Sequence, residues 1–175
     1  MRGRLLVVAV LAAGCSASSP GPASPSPVAF HGMVAAVSAA AVSAGFTCRP
    51  AGQPYGFVVT ECRRGDVGPS ERDLVDVYAR ADGTIAGLDL IAETVSGGPA
   101  IAELAQTAFA PVLDAAAAST LVASVGSTAG TNQPPATLAG GLQLRIWTDG
   151  PGIDRVSLLA PDLVAVWAPA PPAAS

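Results

Sequence analysis

Residues 73–93 read DLVDVYARADGTIAGLDLIAE, and this segment carries the strongest structural signal in the chain. Apolar and polar side chains alternate on both sides of Asp82-Gly83, which is typical of two half-buried strands. Asp-Gly between such segments favours a type I′ turn, because both central residues of that turn need positive φ. The pattern therefore predicts a β-hairpin of residues 73–81 and 84–93 joined by a two-residue loop.

A two-residue loop also sets the register of this hairpin, since each strand residue then has one defined partner. The expected pairs are Val75 with Leu90, Asp76 with Asp89, Val77 with Leu88, Ala79 with Ala86 and Ala81 with Thr84. Most of the apolar side chains share one face, and the two aspartates oppose each other on the other face. The sequence thus predicts antiparallel sheet with one apolar and one polar face.

Segments of helical and strand-like composition flank the hairpin on both sides. Upstream, an apolar stripe at helical spacing from Phe30 to Ala44 predicts a first helix that stops at Gly45. Downstream, Pro99 begins a second helical stripe, which Pro111 should kink or divide because it removes a backbone donor. The strand candidates outside the hairpin are residues 46–49, 57–63, 142–148, 153–159 and 163–167.

The order of these segments indicates the fold class. One helix, four strands, a second helical region and three strands predict an α+β domain, with an antiparallel sheet of six or seven strands covered on one face by helices. We expect a single domain over residues 28–167, because about 140 residues suffice for one domain and not comfortably for two.

The first 15 residues have the layout of an export signal. Arg2 and Arg4 precede residues 5–13, a run of nine residues without a polar side chain. At about 1.5 Å per residue, such a run is too short to cross a hydrocarbon core of ~30 Å. The run leads into Leu11-Ala12-Ala13-Gly14-Cys15, which resembles the lipobox of bacterial lipoproteins.

That resemblance implies that Cys15 carries a diacylglycerol through a thioether and that residues 1–14 are removed as a signal peptide. The protein would then be exported and held by lipid on the outer face of a bacterial membrane. Residues 15–27 would be the lipidated Cys and its Ser/Pro-rich solvated tether. A Pro/Ala-rich stretch, residues 168–175, would close the chain as a disordered tail.

Cys48 and Cys62 are the two thiols that remain once Cys15 is assigned to lipid. Thiols tend to oxidise outside the cytoplasm, and the intervening residues are rich in Pro and Gly. We therefore expect a disulfide between two neighbouring strands. A redox or metal-binding thiol pair is the alternative, although the spacing is not Cys-x-x-Cys and no His lies nearby in the sequence.

Composition excludes several classes of function. All nine basic residues are Arg, so the chain has no Lys for a phosphate-binding Walker loop or a Schiff base. His31 is the single His, which excludes a zinc site built on two or more histidines. Without residues 1–14, seven Arg face thirteen Asp and Glu, and this net charge of −6 disfavours binding to nucleic acid.

Asp76 and Asp89 are the first candidate site residues, because like charges directly opposed on a sheet are unfavourable unless something compensates them. Arg63, Arg64 or Arg80 could supply that compensation, which would leave two ordinary surface aspartates. A weakly bound divalent cation is a second interpretation, although calcium usually recruits more oxygen ligands. Acid–base catalysis by the two carboxyl groups is the third.

Trp147 is the other candidate, since it shares a strand face with Gln143 and Arg145 rather than with the apolar side chains of that strand. A large aromatic ring on a polar face can be a recognition anchor or can pack under a loop.

These observations favour a non-enzymatic, membrane-anchored module that binds a protein or a small hydrophobic ligand and needs no cofactor. A hydrolase that uses carboxylates near Asp76 and Asp89, or a cation-binding domain, is the alternative. A purely structural or secretion-accessory envelope protein is the third hypothesis.

Overall fold

The computed structural model describes residues 28–64, 72–93 and 99–166. The predicted signal peptide, Cys15, the tether and the C-terminal tail lie outside these residues. The helices are α1 (Val34–Ser43), α2 (Pro99–Phe109), α3 (Ala115–Thr128) and α4 (Pro161–Val164), with a 3₁₀ turn at Pro54–Gly56. The strands are β1 (Thr47–Gly52), β2 (Val58–Arg64), β3 (Arg72–Ala79), β4 (Ile85–Glu93), β5 (Ala136–Thr137), β6 (Gln143–Gly150) and β7 (Ile153–Leu159).

The seven strands form one sheet in the order β1-β2-β3-β4-β7-β6-β5, and every neighbouring pair is antiparallel. This arrangement confirms the predicted α+β fold. β4 and β7 are neighbours although two helices and two strands separate them in the sequence. The central pair therefore joins the first meander of the chain to the second.

The β3–β4 hairpin is present, and its register is confirmed along most of its length. The opposed pairs include Val75 with Leu90, Asp76 with Asp89, Val77 with Leu88 and Tyr78 with Gly87. Alternation predicts this register because a slip by one residue would move every apolar side chain to the wrong face.

The predicted two-residue turn is wrong, because the loop has three residues, 81–83. The amide of Arg80 donates to the carbonyl of Thr84 at 2.8 Å, and the amide of Gly83 donates to the carbonyl of Arg80 at 2.9 Å. Gly83 has φ of 83°, the left-handed position that closes a three-residue hairpin loop. Asp82 Oδ1 accepts hydrogen bonds from the amide and the hydroxyl of Thr84 at 2.9 and 2.7 Å.

Because the loop has three residues, Arg80 lies opposite Thr84, and β4 contains one extra residue, Ala86, before the predicted register resumes. Ala79 consequently lies opposite Ile85 rather than Ala86, and the register shifts at this point. The carbonyl of Ala86 accepts a hydrogen bond of 2.7 Å from the amide of Ala160, just beyond β7. The bulge therefore keeps its backbone oxygen satisfied.

The helical predictions hold with one change. α1 begins at Val34 rather than near Phe30, because Gly32 has φ of 82° and a helix cannot pass through a left-handed residue. Pro111 does divide the second helical region, since α2 ends before it and α3 begins after it.

The predicted strand at 163–167 is wrong over its described residues, where Pro161–Val164 forms the short helix α4. Pro161 lies at the first helical position, for which its fixed φ is suited. A short apolar run can belong to a strand or a buried helical turn, and periodicity alone does not separate them. The seventh strand is instead β5, which lies between α3 and β6 and outside the strand candidates named from the sequence.

Two apolar clusters show how the layers pack. On one face of the sheet, buried residues of α1, α2 and α3, such as Val37, Phe109 and Leu121, join Val75 and Leu90 in the main core. On the opposite face, called here the outer face, α4 packs over the sheet. Its cluster contains Leu163, Val59, Tyr78, Ala86 and Leu159. The expectation that all helices share one face is therefore correct for three helices and wrong for α4.

Candidate functional site

Strand pairing places six polar side chains in one line across the outer face. Successive partners belong to β1, β2, β3, β4, β7 and β6 and lie on the same side of the sheet, because paired residues share a face. The residues of this line, called the ionic row, are Arg49, Glu61, Asp76, Asp89, Ser157 and Arg145. Three carboxylates are thus flanked by two guanidinium groups within one row.

Asp89 lies at the centre of the ionic row and is only 1% exposed. Arg155 Nη2 donates to Asp89 Oδ2 at 2.5 Å, and the hydroxyl of Ser157 donates to Asp89 Oδ1 at 2.6 Å. Burial raises the pKa of the Asp89 carboxyl, and the contacts with Arg155 and Ser157 oppose that rise. Both oxygens of this carboxylate are therefore engaged by β7.

Arg155 was not among the residues expected to compensate the aspartates. Arg64 instead binds Asp73 and Glu103, and Arg80 binds Asp162. Only Arg63, of the three arginines considered from sequence, acts on the pair, because its charge lowers the pKa of Asp76.

A local signal for Arg155 does exist in the alternation of β7. Arg155 and Ser157 alternate there with the buried side chains of Val156 and Leu158. That pattern marks the face on which Arg155 lies, but it does not reveal that β7 pairs with β4.

Asp76 is the least satisfied member of the ionic row. Its Oδ1 is buried and has no hydrogen-bond partner. Burial, followed by the charges of Asp89 and Glu61, raises the pKa of Asp76 to about 7, against the opposing effects of Arg155 and Arg63. Asp76 and Asp89 therefore face each other as predicted, but only Asp89 has its own arginine.

Glu61, next in the row, has two arginine partners. Arg63 Nη2 lies 2.6 Å from Glu61 Oε2, and Arg49 Nη2 lies 2.9 Å from Glu61 Oε1. Hydrogen bonding to Arg63 is the main reason that the pKa of Glu61 is lowered. The row consequently keeps Glu61 ionised beside Asp76, and this neighbouring charge contributes to the raised pKa of Asp76.

Trp147 is 3% exposed and has little surface to offer a partner. Its Nε1 donates to Asp149 Oδ1 at 2.7 Å, and the guanidinium of Arg155 lies 5.1 Å from the ring centroid. Arg155 thus contacts both Asp89 and the indole ring. The structure places Trp147 as a packing residue beside the ionic row, not as an exposed recognition anchor.

The predicted disulfide between Cys48 and Cys62 is confirmed. The two residues are direct partners in the β1–β2 ladder. Cys62 is fully buried on the helix side of the sheet. The bond therefore joins an edge strand to the main core.

A pocket of about 170 Å³ lies on the outer face beside the ionic row. Leu74 and Ile91 are its apolar lining residues, and Arg63 and Glu93 bring opposite charges to it. Strand pairing brings these side chains together, since Arg63 lies opposite Leu74 and Leu74 opposite Ile91, and Glu93 is two residues beyond Ile91 on the same face of β4. We call this feature the outer pocket. Alternation within a single strand does not reveal this pocket, because β2, β3 and β4 all contribute to it.

The arrangement of these side chains bears on the two alternative functions considered from the sequence, binding of a metal ion and acid–base catalysis. Among the described residues, no group of three or more His, Cys, Asp or Glu side chains is arranged to hold a metal ion. His31 lies on the surface, where its Nε2 is 3.5 Å from Asp114 Oδ2. Acid–base catalysis would need a reachable pair of carboxyls, and Asp89 is both buried and engaged.

Within the described ranges, no helix is both long enough and apolar enough to cross a membrane. No protein-family model, curated protein or solved structure matches the chain.

Proposed function

We propose that this chain is an exported, lipid-anchored domain that binds a partner protein on its surface and catalyses no reaction. The Cys48–Cys62 disulfide is the observation that carries the proposal. Disulfides persist in oxidising compartments, which agrees with export through the signal-like N-terminus. It also pairs the two other cysteines, so that Cys15 is the thiol left for lipid.

Packing on the helix side favours surface recognition over carriage of a ligand inside the domain. The side chains between helices and sheet form one continuous cluster, in which residues such as Leu88, Leu104 and Val125 have at most 1% exposure. A hydrophobic ligand carrier would instead need a cavity of several hundred Å³ in this position.

The outer pocket is the candidate recognition site. Its volume of about 170 Å³ suits one inserted side chain better than a whole ligand. Leu74 and Ile91 favour an apolar group, whereas Arg63 and Glu93 can orient polar groups that flank it. An extended segment of a partner protein with one apolar residue between polar neighbours fits this chemistry.

One experiment tests both parts of the proposal. A photo-crosslinking amino acid is placed at Leu74 in the outer pocket, or at Val42, which is exposed on α1 and serves as the control. Each variant is expressed with Cys15 intact and with Cys15→Ser, and cells are fractionated after irradiation.

We expect one discrete adduct from Leu74 and none at that size from Val42, together with release of the Cys15→Ser protein from the membrane fraction. A Ser19→Ala variant is the matched control for release and should stay with the membrane. Membrane retention of the Cys15→Ser protein would refute the anchor. Identical crosslinking patterns from Leu74 and Val42 would refute the outer pocket as the recognition site.

A further inference from the structure

The β1–β2 and β3–β4 turns lie at the same end of the sheet, which we call the hairpin end. We propose that the hairpin end docks on the surface of the bilayer that holds the lipid anchor. This inference rests on the proposed anchor at Cys15 and adds an orientation of the domain on the membrane. It requires an apolar surface at the hairpin end and a chain that enters the domain there.

Exposed apolar side chains are concentrated at the hairpin end. Five large hydrophobic residues are exposed among the described residues, and three of them lie there: Met33, Tyr55 and Val58. Tyr55 is in the β1–β2 turn, and Met33 forms a bridge with Thr84 beside the β3–β4 turn. Val42 lies near the other end of α1, where the carbonyl of Ala44 contacts Arg64 at the far end of β2.

The described chain also enters the domain at the hairpin end. The amide of Val28 donates to the carbonyl of Ala139, in the connection that precedes β6. The neighbouring Gly141 lies close to Pro161 at the start of α4. Twelve residues, 16–27, separate Val28 from Cys15, and a chain of that length reaches at most about 47 Å. The tether therefore joins the domain at the hairpin end.

Tyr55 is well suited to the polar boundary of a bilayer. Its side chain is 57% exposed, and its φ of 57° holds it in the left-handed region between Pro54 and Gly56. Tyrosine combines an apolar ring with a polar hydroxyl, and such residues are enriched where membrane and water meet.

Charge at the hairpin end indicates which lipids it should prefer. Asp82, Asp114 and Asp162 are near this surface, together with Arg80, which pairs with Asp162, and with the imidazole of His31 beside Asp114. An anionic headgroup would therefore be repelled. Contact through apolar side chains should be strongest on zwitterionic lipid and weaker on anionic lipid.

The anchor makes a small apolar surface sufficient. Three exposed side chains would hold a free domain only weakly. A tethered domain, however, meets the bilayer at a high effective concentration, so that weak contacts populate one orientation. In that orientation the outer pocket remains accessible, because Glu93 and Arg63 lie towards the opposite end of their strands.

The test uses the mature lipidated protein reconstituted in phosphatidylcholine vesicles. Tyr55→Cys and Val42→Cys variants are labelled with an environment-sensitive dye under non-reducing conditions, which leave the Cys48–Cys62 disulfide intact. Vesicles carry a spin-labelled lipid as quencher, and flotation of the same samples reports the anchor separately. Hydrogen exchange of the unmodified lipidated protein supplies a measurement that needs no variant.

We expect quenching of the label at Tyr55 to exceed that at Val42 by about threefold or more. Addition of anionic lipid should reduce this difference, and amides of residues 53–57 should exchange more slowly on vesicles than in detergent. Equal quenching of both labels in a protein that floats with the vesicles overturns the docking inference alone. If amide exchange at Tyr55 slows with increasing protein concentration and not with the addition of vesicles, the hairpin end self-associates. That result also overturns the docking inference. Loss of flotation overturns the proposed anchor and the docking inference with it.

Discussion

Replacing Asp76 with Asn tests the energetics of the ionic row. The carboxyl of Asp76 lies between Glu61 and Asp89 on the paired strands β2, β3 and β4, and its Oδ1 is buried without a hydrogen-bond partner. Asn keeps the shape of a protonated Asp but carries no charge at any pH. The Asp76→Asn substitution should therefore remove an unfavourable charge at neutral and alkaline pH.

The sign of the effect follows from proton binding in the two states. In the folded protein the pKa of Asp76 is about 7, whereas the ordinary value for an Asp is 3.8. Below pH 4 both states hold the proton, and between pH 4 and 7 only the folded state does. Each pH unit in that window lowers the free energy of unfolding by about 1.4 kcal/mol. The wild type should thus lose roughly 2–4 kcal/mol relative to Asp76→Asn between pH 4 and 8, allowing for partial exposure of the side chain.

Urea unfolding followed by circular dichroism, in a non-lipidated Cys15→Ser background, measures this difference. The two proteins should be similarly stable near pH 4, and Asp76→Asn should be the more stable one at pH 8. Asp89→Asn is the matched control, because it removes the buried carboxylate that Arg155 binds and leaves Arg155 only the 3.3 Å contact with Asp149 Oδ2; it should lower stability by about 3 kcal/mol near neutral pH. Parallel pH profiles for wild type and Asp76→Asn, or a less stable Asp76→Asn at pH 8, would refute the reasoning.

Two further predictions concern the disulfide and the glycines. Reduction of Cys48–Cys62, or Cys48→Ala with Cys62→Ala, should lower the free energy of unfolding by about 3 kcal/mol, and an unchanged urea midpoint with and without reductant would contradict this. Gly87→Ala should destabilise the domain by about 1–3 kcal/mol, because the new Cβ would lie 2.5 Å from Leu163 Cδ2 and would push α4 from the sheet. Gly126→Ala in α3 is the contrasting change, since its nearest neighbour, Ala102, is 3.5 Å away and Ala favours helix by up to about 1 kcal/mol. Thermal melting of both variants tests these two predictions. Equal shifts of the melting temperature in the same direction would show that the contact with α4 does not determine the effect at Gly87.

Local patterns were enough to predict the hairpin and the disulfide. The alternation through Val75 and Leu90 specifies a register because each wrong register buries a polar residue or exposes an apolar one. Cys48 and Cys62 flank a turn-rich connection, so that two antiparallel strands bring them together. The position of Pro111 likewise predicts where the second helical region divides, since proline cannot donate the backbone hydrogen bond.

Ambiguous local signals account for the errors. Asp82-Gly83 suits a two-residue turn, but Gly83 serves equally well as the left-handed residue of a three-residue loop. The apolar run from Leu163 is too short for its period to distinguish strand from helix, and packing against Val59 and Tyr78 makes it the helix α4.

The composition, the alternation and the cysteine spacing thus suffice for the fold class, the main hairpin and the disulfide, because each depends on residues close in the chain. The partner of Asp89 depends on the pairing of β4 with β7, and Arg155 is 66 residues away. The pKa of Asp76 depends on burial and on charges that three strands bring into one row. The outer pocket and the shared position of Val28 and Tyr55 at the hairpin end arise in the same way, since only the folded sheet brings distant segments together.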